Sequence, residues 1–185
     1  MRLLLVRHPR PGVDPGLCYG SSDVVAPAHE TARVRDALRA AGLPGTMPTY
    51  ASPLERCAAL ARSLDPSPLR FDARLAEMDF GAWELRSWDT IARSEIDAWA
   101  DDLLHYRPGG GESVLDVARR VAAFLDDMRA ELRGARQPQA LVICHAGTMR
   151  LLRALFTGQP LITAALEAAR TPHRIGYGEL LVLKD

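Results

Sequence analysis

Short runs of β-forming apolar residues alternate along the chain with segments whose apolar positions recur every three or four residues. That ordering predicts an α/β fold, a mainly parallel sheet covered by helices. Leu3–Val6 inside Arg2–Arg7 reads as a buried first strand. Pro9, Pro11, Gly12, Pro15 and Gly16 then impose a long loop, because ring-locked φ angles and missing N–H donors forbid regular structure. The spacing predicts a helix over residues 28–41, ended by Gly42 and Pro44. Thr49 to Ala51 is a short strand, and Ser52-Pro53 reads as a helix start, with serine as cap and proline at the first helical position. That helix should stop before Pro66.

Between residues 74 and 111 the periodicity dissolves, with Trp83, Trp88 and Trp99 spread over short helical pieces. Residues 79–111 read as an insertion over one end of the sheet. Ser113 opens the clearest helix, with Val114, Val117, Val121, Phe124, Leu125, Met128 and Leu132 on one face. Ala140 to Cys144 is a continuous apolar run of buried-strand type. A helix over 148–155 and a final strand over 176–183, of antiparallel sense, complete the pattern.

Composition narrows the class. With 185 residues and 48% hydrophobic positions, the chain is the size of one domain, 1–185, with a sizeable core. It is neither charge-dominated, glycine-periodic nor cysteine-rich, which excludes disorder, collagen-like structure and a disulfide-stapled miniprotein. Basic and acidic residues balance at 23 each, which argues against an extended nucleic-acid-binding face. Leu3–Val6 is too short for a signal-peptide core, and no run approaches the roughly 20 apolar residues that span a bilayer. A cytoplasmic protein with no membrane partner is expected. Cys18, Cys57 and Cys144 are widely spaced and form no Cys-x-x-Cys pair; buried free thiols are expected, with no metal site and no cofactor. Lys184 is the only lysine, so nearly all positive charge sits on arginine, the better residue for forked contact with phosphate or carboxylate. A coding bias would give the same count, so the question is which arginines are chemically placed.

Four places stand out: Arg7-His8 after the first strand, Arg56 in Ser52-Pro53-Leu54-Glu55-Arg56, Glu77 before Met78-Asp79-Phe80-Gly81, and His145-Ala146-Gly147 after a buried strand. Ligands of open α/β sheets collect at the carboxyl ends of strands, where three of the four fall. If they converge, they form a kit for a phosphate monoester. Arg7 and Arg56 would clamp the phosphoryl group, with Gly147 admitting backbone N–H donors at a helix start. His8 would attack phosphorus as a neutral imidazole, and Glu77 would protonate the leaving oxygen. His145, charged or donating, would stabilise the equatorial oxygens. Taken singly, each residue has an ordinary use: a histidine as a satisfied strand-end polar group, Arg56 or Arg150 as a helix-surface pair, the tryptophans as packing. Their joint occurrence in order is what points to chemistry.

The ordered set resembles the histidine phosphatase superfamily, the phosphoglycerate mutase-like fold. The residues that carry the likeness are Leu4-Leu5-Val6-Arg7-His8, Ala51-Ser52-Pro53-Leu54-Glu55-Arg56-Cys57, Leu75 to Glu84, Gly110-Gly111-Glu112-Ser113, and Val142-Ile143-Cys144-His145-Ala146-Gly147-Thr148. The resemblance implies a three-layer α/β/α sandwich with a mostly parallel central sheet and a phosphohistidine mechanism. It makes His8 the nucleophile, Arg7 and Arg56 the phosphate-binding arginines, Glu77 the proton donor and His145 the second histidine. Arg7-His8-Pro9-Arg10-Pro11 with Gly16 to Asp23 looks most like the α-ribazole phosphatase-type enzymes of cobalamin biosynthesis. The implied substrate is a small phosphate monoester, α-ribazole 5′-phosphate or the related cobalamin 5′-phosphate. Proline at position 9, where the common pattern has glycine, removes a backbone donor, and Arg10 either replaces it or faces solvent. Arg10, Tyr19, Ser21 and Ser22 are expected to read the leaving group, with Trp83, Glu84 and His173 as further contributors. The short chain favours hydrolysis over mutase-type isomerisation. A broad-specificity sugar or nucleotide phosphatase and a non-catalytic phosphoester-binding protein are the alternatives.

Overall fold

The apolar run behind Met1 becomes the centre of the sheet. In the computed structural model, which describes residues 1–172 and 174–185, β1 (Arg2–Arg7) pairs in parallel with β4 (Gln139–Cys144) and antiparallel with β5 (Leu180–Lys184). On the other side of β4 lies β2 (Thr49–Ala51), which carries β3 (Leu69–Phe71) at the edge, both parallel; the order is β3-β2-β4-β1-β5.

Strand side chains alternate between two faces, and each face has its own helices. Leu4, Val6, Leu141 and Ile143 pack on α1 (Ala28–Ala40) and α2 (Glu55–Leu64). Leu3, Leu5, Val142 and Cys144 pack on α4 (Val114–Leu132), α5 (Ala146–Phe156) and α6 (Leu161–Arg170). The fold is therefore the expected three-layer α/β/α sandwich. Burial on both faces explains why β1 and β4 read as unbroken apolar runs. Ser113 caps α4 in a reciprocal box with Asp116, which fixes that helix start as the sequence indicates.

Several boundaries differ from expectation. Helix α2 begins at Glu55, with the apolar Leu54 at the cap position and so no side-chain cap; the Ser52 hydroxyl lies two residues earlier, accepting from Leu54 N–H at 3.3 Å and contacting His145. Helix α5 starts two residues early, at Ala146. Strand β5 starts at Leu180 rather than 176, since Gly178 takes φ +77° in a turn. The half-exposed edge strand β3 and the alanine-rich α6 were not anticipated.

Segment 79–111 holds short 3₁₀ turns and α3 (Arg93–Asp101). Its two ends are pinned by glycine contacts: a Cβ on Gly111 would fall 2.2 Å from the Asp79 carbonyl oxygen. Trp83 is fully buried beside Cys18 and Ile91, while Trp88 and Trp99 stack at 7°. All three cysteines are buried and free, as the sequence suggested. Among the described residues, no helix is long and apolar enough to cross a membrane.

Candidate active site

The carboxyl ends of β1, β2 and β4 lie side by side in the sheet, so the loops that leave them converge. β1 delivers Arg7 and His8, the turn after β2 leads through Ser52 to Arg56 on α2, and β4 delivers His145 at the start of α5. Arg7, His8, Arg56, Glu77, Tyr19 and Gly147 line one cavity of about 400 Å³.

His8 is buried, and its Nδ1 lies 2.7 Å from the Pro9 carbonyl oxygen. Nδ1 therefore carries the proton and Nε2 keeps its lone pair. Burial, reinforced by Arg56 and Arg7 against the opposing pull of Pro9, lowers the pKa of His8 to about 3. The imidazole is neutral near pH 7. Pro9, which has no N–H to offer, thus contributes through its carbonyl, which orients the His8 ring.

His145 sits behind His8, with ring centroids 5.1 Å apart. Arg56 Nε donates to its Nδ1 at 3.3 Å, which leaves Nε2–H to donate to Ser52 Oγ at 2.8 Å. Burial, then Arg56, hold its pKa well below the usual histidine range, so the ring is neutral; with Nδ1 accepting from Arg56 and Nε2–H given to Ser52, neither nitrogen is aimed at a phosphoryl oxygen as the sequence led one to expect. It does not line the cavity directly.

Arg56 is fully buried and is held by backbone carbonyls: Nη1 donates to Ser22 O at 2.7 Å and Nη2 to Gly20 O at 2.5 Å. Those carbonyls face Arg56 because the opposite edge of the loop is taken by Glu84. Its carboxylate accepts from the backbone N–H groups of Gly20, Ser21 and Ser22 at 2.9–3.2 Å, from both serine hydroxyls, and from Phe80 N–H. Burial pushes the Glu84 carboxyl up, but these hydrogen bonds outweigh it and hold the pKa below the ordinary carboxylate value.

Glu77 Oε2 accepts from Gly147 N–H at 3.1 Å, and Oε1 from Met78 N–H at 3.1 Å. The backbone beneath is clamped by Arg120, which donates to the carbonyls of Arg74, Ala76 and Glu77 and pairs with Glu112 at 2.8 Å. Glu112 in turn accepts from Asp79 N–H. This gives the Gly110-Gly111-Glu112-Ser113 motif a mechanical use. Phe80, Trp88, Trp99, Leu103 and Val114 add apolar surface to the lining of the same cavity.

Some expectations need correction. The N–H of Gly147 is taken by Glu77 rather than left open for a phosphoryl oxygen. The Ser21 and Ser22 hydroxyls turn toward Glu84, since its carboxylate satisfies the whole loop, and neither lines the cavity. Arg10 is exposed and off the cavity. Trp83 is packing, and His173 lies outside the described residues. Sequence reasoning missed Arg150, which lines the cavity, and Tyr177, whose ring lies 3.9 Å from Arg7 Cζ. It also missed Ser52 as the partner of His145, a contact across 93 positions that no local pattern signals.

Known proteins resemble the chain in sequence and in fold. The chain is 30% identical over 106 residues to a probable fructose-2,6-bisphosphatase of Schizosaccharomyces pombe, covering 56% of this chain and 24% of that protein. It is 32% identical over 97 residues to the adenosylcobalamin/alpha-ribazole phosphatase of Escherichia coli, covering 50% of this chain and 46% of that protein. The matched segments thus span about a quarter and just under half of those relatives. Among solved structures, the alpha-ribazole phosphatase from Shigella flexneri superposes with TM-score 0.81 at 25% identity, over 100% of this chain and 90% of that one. A mycobacterial glucosyl-3-phosphoglycerate phosphatase shares the fold at TM-score 0.81 and 23% identity, over 98% and 88%. The sequence pattern described as "Histidine phosphatase superfamily (branch 1)" matches residues 3–170, a span that begins in β1 and closes at the end of α6, so that the chain belongs to the histidine phosphatase superfamily.

Proposed function

We propose that the protein is a phosphomonoesterase that works through a phosphohistidine on His8. The observation that carries this reading is a neutral imidazole with a free Nε2 lone pair, set between two arginines at the base of a cavity that also holds a carboxyl group. In the reaction, the Nε2 lone pair attacks phosphorus, the ester P–O bond breaks, and the leaving oxygen takes the proton of the Glu77 carboxyl. The resulting Glu77 carboxylate then removes a proton from water, the hydroxide oxygen bonds to phosphorus, and the P–N electron pair returns to Nε2. Arg7 and Arg56 take the phosphoryl oxygens, each charge-assisted contact contributing roughly 1.5–3 kcal/mol. Hydrogen bonding of Nδ1 to Pro9 O favours the cationic ring that forms on phosphorylation.

The leaving group must fit a cavity lined by Phe80, Trp88, Trp99 and Leu103 as well as by arginines. That favours a flat, weakly polar alcohol portion over a second highly charged group, and α-ribazole 5′-phosphate, whose base is a flat aromatic bicycle, answers this description, with the bulkier cobalamin 5′-phosphate as the related alternative. The similarity to the two alpha-ribazole phosphatases supports the same choice. A small-molecule substrate of this kind accords with a cytoplasmic enzyme, and the mechanism calls for no cofactor. The test is a panel of phosphomonoesters, including α-ribazole 5′-phosphate, sugar phosphates and phosphoglycerates, with His8→Ala as control. Acid-labile phosphate trapped on wild type and absent from His8→Ala is expected. Full activity in His8→Ala would sink the mechanism, and an even kcat/KM profile would remove the α-ribazole assignment.

A further inference from the structure

Beyond the residues matched by the family pattern, the segment 175–178 folds back over Arg7 and His8. Arg7 Nη1 donates to Ile175 O at 2.5 Å. Gly178 N–H lies 3.0 Å from the Arg7 carbonyl oxygen and 3.3 Å from that of His8. Gly178 itself has φ +77°, and a Cβ there would meet Val34 at 2.5 Å, so the turn sits tight against α1. From this turn the Tyr177 ring lies 3.9 Å from Arg7 Cζ, with its centroid 5.5 Å from that of His8. Its hydroxyl is 2.8 Å from that of Tyr19, a cavity-lining residue whose ring lies 5.5 Å from Arg56 Cζ. A guanidinium, two linked phenols and a second guanidinium thus form one continuous arch across the site.

Arg7 has few other restraints. Its Nε is buried with no hydrogen-bond partner among the described residues, so the Ile175 carbonyl and the stacked ring set the plane of the guanidinium. A forked contact with two phosphoryl oxygens depends on that plane. We propose that Tyr177 is a positioning residue for the phosphate clamp, its ring fixing the Arg7 plane. The proposal rests on the phosphomonoesterase reading. Because Arg7 would hold the phosphoryl group in ground state and transition state alike, disturbing its plane should weaken binding more than turnover.

The experiment compares wild type, Tyr177→Leu and Tyr177→Phe for kcat and KM on a phosphomonoester, and for inorganic phosphate affinity by calorimetry. Tyr177→Leu should raise KM and the phosphate Kd about tenfold, within the range of a desolvated cation–ring contact, with kcat changed less than about threefold. Tyr177→Phe keeps the ring and should stay within about threefold of wild type. Wild-type phosphate affinity in a folded Tyr177→Leu, or equal loss in the leucine and phenylalanine variants, would overturn the proposal. Tyr177→Gln replaces leucine if leucine unfolds the chain. A wild-type enzyme without turnover would defeat the phosphatase reading alone, since phosphate affinity still tests the role of Tyr177.

Discussion

Gly147→Ala isolates Glu77, the proposed proton donor. Gly147 occupies an ordinary helical position in the first turn of α5, where alanine is favoured over glycine by about 1 kcal/mol, so the fold should not suffer. A Cβ at this position would stand 2.5 Å from Glu77 Oε1 and 3.2–3.3 Å from its other carboxyl atoms. Ordinary contact needs a retreat of about 0.9 Å by that oxygen, and the obstacle is the mobile end of a side chain rather than backbone. The substitution therefore moves the carboxyl group and little else. A displacement of about 1 Å in a reacting group costs on the order of 10²-fold in rate. The loss should depend on how much the leaving oxygen needs a proton. An alkyl phosphate expels a poor alkoxide, whereas a nitrophenyl phosphate expels a stable phenolate. The parameter to compare is kcat/KM, which reports events up to phosphoryl transfer onto His8 and so excludes the later step in which Glu77 acts as base. It should fall about 10²-fold for the alkyl ester and less than about tenfold for the aryl ester, with Tm equal to or above wild type. Equal falls for both esters, or wild-type kcat/KM on the alkyl ester, would refute the assignment of Glu77 as general acid.

Two further outcomes follow from the buried groups. Arg56→Lys keeps the charge but cannot serve His145, Ser22 and Gly20 together; urea unfolding should show a loss of about 2–4 kcal/mol and kcat/KM should fall at least about tenfold, wild-type kcat/KM refuting the fork. The pKa of His8 is about 3 in the folded chain against an ordinary 6.5, so its stabilising contribution is present above pH 6.5 and is lost as pH falls toward 3. Between pH 6.5 and 5 this removes about 2 kcal/mol, with His145 acting in the same direction. Urea unfolding should show the slope in wild type and a shallower one in His8→Gln; equal slopes would contradict it.

What was legible in the sequence is what local physics decides. β1 and β4 are buried on both faces, so their runs are uninterrupted, and the residues at their ends are placed as soon as the strands are. The cap of α4 is equally local, being closed by Ser113 and Asp116 three positions apart. What was illegible depends on distant partners. Ser52-Pro53 has the residue types of a helix start, yet its hydroxyl goes to His145, and the helix begins later. Ser21 and Ser22 look like free donors until Glu84, more than sixty positions on, claims them. Tyr177 reaches Tyr19 across 158 positions. β3 is a three-residue edge strand with two exposed positions, and the buried positions of α6 are alanines, so neither element carries a strong hydrophobic signature.

The arginines resolve the tension between a chain of zero net charge and an anionic substrate. Several surface arginines are paired with carboxylates: Arg62 with Glu55, Arg74 with Asp72 and Asp127, Arg93 with Asp97. Arg7 and Arg56 are instead held by backbone carbonyls, those of Ile175, Gly20 and Ser22. A carboxylate in place of Gly20 O would fix Arg56 as firmly but would cancel the charge that draws a phosphate. Holding the guanidinium groups with neutral dipoles keeps their geometry and leaves their field intact. That field is felt at once by His8, where Arg56 is the second cause of the lowered pKa after burial, and Arg7 adds to it. An imidazole kept unprotonated is the form that can attack phosphorus. The same two uncompensated cations therefore serve both ends of the proposed reaction, attracting the dianion and keeping the nucleophile neutral. Glu84 makes this possible, because it turns the N–H edge of residues 20–22 toward itself and so leaves their carbonyls for Arg56.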